Sequence, residues 1–375
     1  MMKKRIVTAL AAAFAAFGAI GADKNAEADA IKTVLNSRAA GSPRKYAEAA
    51  KVVAEYAEAG RPLQRFIMAV LSDDRCMPDE LRISPELRRK YLESSRAKIR
   101  ELAEKKSNPI AWYLLSLETN DMKLLKRAAE GGNVQALNAW GTVTLTQILS
   151  NPEAEPAEIE RVVEKSFACF KRAAAEKDAN GLYNLGMCYL NGYGCDPDAD
   201  KAFDCFRMAA EKEHPEAINN IGGFYRDGIV VEKDPVVAAK WFAKSAALGN
   251  PYGQLNYALA LQRGEGVAQD SARAAKLLLE SAEQGSAEAM NAYGMCLYAG
   301  DGLEKDERAA VAWYFKSAAH GFAPAMENLA ECYDIGAGGL EKNHEKGTVW
   351  KIRARAARGD RNAIAWLTQN GYSLK

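Results

Sequence analysis

At 375 residues the chain is long enough for two ordinary domains or one long repeat array. Hydrophobic residues make up 48% and charged residues 26%, a balance that excludes wholesale disorder. Fifty Lys and Arg against 49 Asp and Glu leave a formal net charge of +1, which excludes the overall basic excess typical of a nucleic-acid binder.

The chain opens with Lys3, Lys4 and Arg5, followed by an uncharged apolar run from Ile6 to Ile20, then Gly21 and Ala22 before the polar stretch at Asp23. This order is that of a secretory signal peptide, and the run falls short of the roughly 20 residues that span a bilayer. Residues 1–22 are therefore set apart from the fold, with cleavage expected near Ala22 and a periplasmic or secreted mature protein without stable membrane insertion. Seven cysteines follow: Cys76, Cys169, Cys188, Cys195, Cys205, Cys296 and Cys332.

From residue 178 onward the sequence repeats itself. Gly186, Gly222, Ala258, Gly294 and Ala330 stand 36 residues apart, and Gly192, Gly228, Gly264, Gly300 and Gly336 keep the same period. So do Asp198, Asp234, Asp270 and Asp306, then Ala210, Ala246, Ala282 and Ala318. Each unit reads as a first helix, a Gly-rich turn, an Asp N-cap and a second helix. Glycine inside a helix costs about 1 kcal/mol against Ala, so its recurrence predicts that a neighbouring helix packs too close for a side chain.

A weaker form of the pattern runs back through 23–177. Nine residues separate each junction from a small packing residue: Gly60 to Ala69, Ser107 to Ser116, Gly132 to Gly141, Lys177 to Gly186. The stretches Asp73–Pro85 and Asn151–Pro156 read as exposed loops. Residues 178–360 thus hold five regular units of 36–38 residues, and 361–375 a capping helix. The expected fold is all-α, a right-handed α/α superhelical solenoid of helix-turn-helix repeats.

The segment from Ala289 through Gly294 and Gly300 to Asp306, followed by Trp313-Tyr314-Phe315-Lys316-Ser317-Ala318, resembles the Sel-one-like repeat family, cousins of the tetratricopeptide repeats. The resemblance implies an adaptor or scaffold, in bacteria often exported, that contacts other proteins. A cysteine-rich subgroup of that family joins the two helices of each repeat by a disulfide and has been linked to β-lactam binding. Ala210, Ala246, Ala282 and Ala318 stand where that subgroup needs Cys, so neither property is expected here.

Catalytic chemistry finds little footing. Ser42–Lys45 and Ser95–Lys98 have a Ser-x-x-Lys pattern with no Lys-Thr-Gly to accompany them. No phosphate loop follows any Gly cluster, and His214, His320 and His344 have no metal-ligand spacing. His214 and His320 lie at the ends of second helices, where a cation suits the helix dipole. The recurring Cys positions read as small buried residues. Cys188 with Cys205 is the pair to test for a disulfide. No enzyme activity, cofactor or metal is expected, and nucleic acid is not an expected partner. Arrays of this kind bind through their first helices. The expected concave, partner-binding row is Tyr183, Met187, Leu190, Asn219, Arg226, Leu255, Leu259, Arg263, Asn291, Met295, Tyr298, Glu327 and Glu331, with Asp334 beside it. Its Tyr, Met, Leu and Arg match interface composition and suit a protein or peptide partner. The alternative is a small-ligand binder or hydrolase built on the longer N-terminal loops.

Overall fold

The computed structural model describes residues 82–105 and 107–373, together with positions 50, 51, 53, 54, 57, 65, 66, 68 and 69. The apolar leader at 1–22, Ser42–Lys45, Gly60, Cys76 and most of the loop expected at Asp73–Pro85 lie outside the described residues. Among the described residues all regular structure is α-helical, with no strand. The fold is an all-α solenoid of helix-turn-helix repeats.

The chain divides into two compact units, Met1–Ala217 and Ile218–Lys375. The first contains α1 (Pro85–Lys105), α2 (Pro109–Thr119), α3 (Met122–Glu130), α4 (Val134–Leu149), α5 (Pro156–Ala175), α6 (Ala179–Asn191) and α7 (Ala199–Ala210). The helix α8 (Pro215–Asp227) begins in the first unit and continues into the second. The second unit goes on with α9 (Pro235–Ala247), α10 (Pro251–Arg263), α11 (Ser271–Glu283), α12 (Ala287–Ala299), α13 (Glu307–Ala319), α14 (Ala323–Ile335), α15 (His344–Ala357) and α16 (Arg361–Gln369).

Local chemistry sets the boundaries. Asp198, Asp270 and Asp306 each accept a hydrogen bond of 2.9 Å from the backbone amide three residues on. Asp234 accepts from Val236 and Val237 at 2.9 and 3.0 Å, with Pro235 opening α9. These are the N-caps of the second helices, each worth about 1 kcal/mol. Asn343 does the same for α15. Between a second helix and the next first helix the backbone turns left-handed, at Gly132, Gly249, Gly285, Gly321 and Gly359. Ser107, Lys177 and Glu213 take the same conformation despite their β-carbons, with φ of 46°, 54° and 60°.

Where the small residue of a first helix is glycine, the ring that faces it explains it. A β-carbon at Gly186 would lie 2.7 Å from Phe206, at Gly222 2.6 Å from Phe242, and at Gly294 2.7 Å from Tyr314. Phe206, Phe242 and Tyr314 belong to the second helix of the same unit and are buried. In α4 the same role falls to Gly141, against Phe170. Serines tie second helices to the first helix of their own unit. The Ser281 hydroxyl donates to the Pro251 carbonyl at 2.8 Å, and that of Ser317 to the Ala287 carbonyl at 2.6 Å. Among the described residues no helix is long and apolar enough to cross a membrane.

Candidate partner-binding face

The residues expected to line a binding row fall into three groups. In the second unit Arg226, Leu259 and Arg263 come together around a hollow of about 50 Å³ between α8, α9 and α10, which Phe242, Asn256 and Glu265 also line. Arg226 and Arg263 are exposed, and Leu259 is half-buried against the core. Met295, 53% exposed, lies on α12 and Glu331, also exposed, on α14. Tyr298 is half-buried, with the Lys305 ammonium 5.7 Å from its ring centre.

A second group turns inward. Leu255 is 6% exposed and belongs to the core, so it offers no surface. Asn291 is 7% exposed. Its carbonyl accepts from Asn328 at 2.8 Å, and its amide donates to the Met295 sulfur at 3.5 Å. Asn219 is half-buried and accepts from Asn256 at 2.8 Å. These side-chain amides link first helices of adjacent repeats, 37 residues apart in each case. Asn256 and Asn328 were missed as members of the row. The signal was present, because Asn184, Asn220, Asn256 and Asn328 each precede a small packing residue by two positions.

The third group lies in the first unit. Tyr183 stacks on His214, with ring centres 4.6 Å apart. Met187 is half-buried and Leu190 is 40% exposed.

Charge on the second-unit face is locally compensated. Arg226 makes two 2.8 Å bonds to Asp227, and this pairing holds the Asp227 carboxyl below its usual range. Arg263 approaches Glu265 at 3.8 Å. Glu327 is bound by Arg358 at 2.5 and 2.8 Å, which lowers its pKa. Asp334 accepts from Lys351 at 2.7 Å and lies 3.1 Å from His344, and both lower it further. Exposed pairs of this kind contribute little stability and can exchange partners with an arriving ligand.

The Ser95 hydroxyl is buried and donates to the Tyr91 carbonyl at 2.7 Å, while Lys98 pairs with Glu101 at 3.0 Å. Desolvation pushes the Cys188 thiol up to about 12 and those of Cys205, Cys296 and Cys332 to about 11, so they stay protonated and poorly nucleophilic near neutrality. Cys188 and Cys205, the pair singled out for a disulfide, are both free thiols. Among the described residues no group of three His, Cys, Asp or Glu could hold a metal ion. His214 corrects its sequence reading. It is buried and accepts a backbone hydrogen bond, where a helix-end cation had been expected.

The Sel1 repeat model matches residues 156–354 in six consecutive segments, more than half of the chain. The chain belongs to the Sel1 repeat family. Its Sel1 repeats resemble those of a Sel1 repeat protein from Oxalobacter formigenes, with 27% identity and a TM-score of 0.52 over 69% of this chain and 95% of that one. A second similar structure is c5321, described as a protective antigen present in uropathogenic Escherichia coli strains and displaying the same fold. It shows 26% identity and a TM-score of 0.52 over 85% of this chain and 66% of that one. No curated protein matches the chain. As a Sel1 repeat protein, it is a helix-turn-helix repeat scaffold of the kind that mediates protein or peptide interaction through its helical repeats.

Proposed function

We propose that the first helices of the second unit hold a segment of a partner protein, with the hollow between Arg226, Leu259 and Arg263 as its anchor point. The observation that carries this reading is that hollow. Two guanidinium groups and an aliphatic side chain line it, together with Phe242 and the half-buried Asn256. Arg and large apolar side chains packed around a depression are the usual anchors of an interface. Met295 extends the apolar surface along α12. Tyr183, Met187 and Leu190 give the first unit its own candidate contacts.

The partner is met outside the cytoplasm. Lys3, Lys4 and Arg5 ahead of the apolar run to Ile20 support export, and the relative described as a protective antigen is in keeping with it. Mass determination on protein recovered from periplasmic and secreted fractions tests this. Loss of the first 22 residues is expected, and an intact N-terminus in the cytoplasm overturns it.

The binding face is tested with the mature protein as bait against those fractions, beside the variant Arg226→Ala, Leu259→Ala, Arg263→Ala. A captured protein that the triple variant fails to hold, at unchanged helicity, is the expected result. Equal capture by both proteins would place the contact elsewhere.

A further inference from the structure

His214 stands in a row of helix N-caps. Asp178, Asn250 and Ser286 precede first helices at multiples of 36 residues, and each accepts from the backbone amide three residues on, at 2.9, 2.8 and 3.2 Å. His214 fills the slot between Asp178 and Asn250 and does the same work with a ring nitrogen. Its Nδ1 accepts from the Ala217 amide at 3.3 Å. A backbone N–H can only donate, so Nδ1 carries a lone pair and the proton sits on Nε2. That proton is directed at the Asn180 Oδ1, 3.3 Å away, and the ring stacks on Tyr183. The capping imidazole is therefore neutral and held in one tautomer.

A competing acceptor lies at almost the same distance. Glu216 Oε2 is 3.4 Å from Nδ1. While Nδ1 is unprotonated, the carboxylate faces a lone pair. Once Nδ1 gains a proton, it becomes a donor to Glu216 and the Ala217 amide loses its acceptor. The ionisable groups that flank His214 on these elements include Glu216 on α8, Tyr183 and the capping Asp178 at α6, and Glu211, Lys212 and Glu213 after α7. Of these, Glu216 is the one whose charge acts on the ring.

We propose that His214 is a proton-operated cap of α8: neutral, it holds the Ala217 amide; protonated, it releases that amide and pairs with Glu216. Asn250 and Ser286 cannot change in this way, because an amide or hydroxyl does not titrate in this range. Burial lowers the His214 pKa from its ordinary value and Glu216 raises it in part. The sign follows. The cap is complete above the ordinary histidine value of about 6.5 and is lost as pH falls through the lower value of the folded protein. The inference stands on the geometry at His214 and is independent of the partner-binding reading.

The test is the full chain followed by NMR and amide exchange from pH 7.5 to 4.5. In the wild type the His214 ring nitrogens should titrate, and the Ala217 protection factor should fall about tenfold with them, as expected for loss of one cap. In Glu216→Gln both changes should move to lower pH together. In His214→Asn, which keeps an acceptor, Ala217 protection should no longer depend on pH. A His214 ring that stays neutral to pH 4.5, or one that titrates while Ala217 protection holds, overturns the proposal. Both readings come from the wild type alone, so they survive a variant that fails to fold.

Discussion

Val230 carries a φ of 65°, a left-handed angle that a β-branched residue resists. Its counterparts in the other regular units are Gly194, Gly266, Gly302 and Gly338. At two of those positions glycine is required twice over. A β-carbon on Gly266 would overlap the Pro235 carbonyl, and one on Gly302 the Ser271 carbonyl. Val230 is 43% exposed and pays only the backbone strain. Val230→Gly should therefore stabilise the protein by about 1 kcal/mol, read as a rise in thermal midpoint. Gly302→Ala should destabilise by more than about 1 kcal/mol in the same assay. The thiols give a second check at this scale. With Cys188, Cys205, Cys296 and Cys332 buried and raised, native protein at pH 8 should resist iodoacetamide at these four sites. Denatured protein should be labelled at all of them, and intact and peptide masses distinguish the cases. Sequence could locate the turn glycines by their period, but not the tautomer of His214. That depends on Asn180 as well as on the Ala217 amide, and no repeat rule places Asn180 beside the ring.

Between helices, the recurrent glycine and the ring that fills its place act as a pair. Gly186, Gly222 and Gly294 each meet an aromatic side chain 20 residues later, while Ala258 is followed at the same step by the smaller Leu278. Size is traded across the hairpin. Gly222→Ala should cost about 1–3 kcal/mol by overpacking against Phe242, and combining it with Phe242→Leu should recover part of that loss. A double-mutant cycle by chemical denaturation measures the coupling, and simple additivity would contradict the pairing. The helices themselves were legible from spacing and caps. The neighbouring helix does lie close at these glycines, chiefly through one ring, with the Ala202 and Ala310 carbonyls 3.2 Å from where a β-carbon on Gly186 and Gly294 would stand. The binding row was less legible. Helical spacing put Leu255 and Asn291 on the same face as Met295, yet the rotation that exposes Met295 carries Leu255 into the core and brings Asn291 to Asn328. Amphipathic spacing fixes a face to within about one residue's rotation, and packing against the next repeat decides the rest.

Taken as a whole, the chain builds its core from helices that pack chiefly on their neighbours in sequence. Damage should then stay local. Phe242→Ala opens a hole beside Gly222, of the kind that costs about 3–5 kcal/mol. It should speed amide exchange in α8, α9 and α10 while α15 and α16 of the same unit keep their protection. Uniform loss across the unit would instead mean that it unfolds as one cooperative body. The 36-residue period made the array readable from residue 178 onward. Before that the junctions at Ser107, Gly132 and Lys177 are unevenly spaced, and two of the three carry a β-carbon where the backbone turns left-handed. No glycine marks Ser107 or Lys177, so only the small residue nine positions on betrays those two. The regular part has a further property. Gly249 and Gly285 share one backbone hand, Asn250 and Ser286 share one capping role, and Ser281 and Ser317 reach carbonyls in the same phase. An excision that joins Asn250 directly to Ala287 would meet a cap, a joint and a serine partner already of the right kind. Unequal crossing-over in the gene could therefore shorten or lengthen the array by whole units without inventing a new interface, and the number of repeats becomes a trait that lineages can vary while each repeat stays as it is.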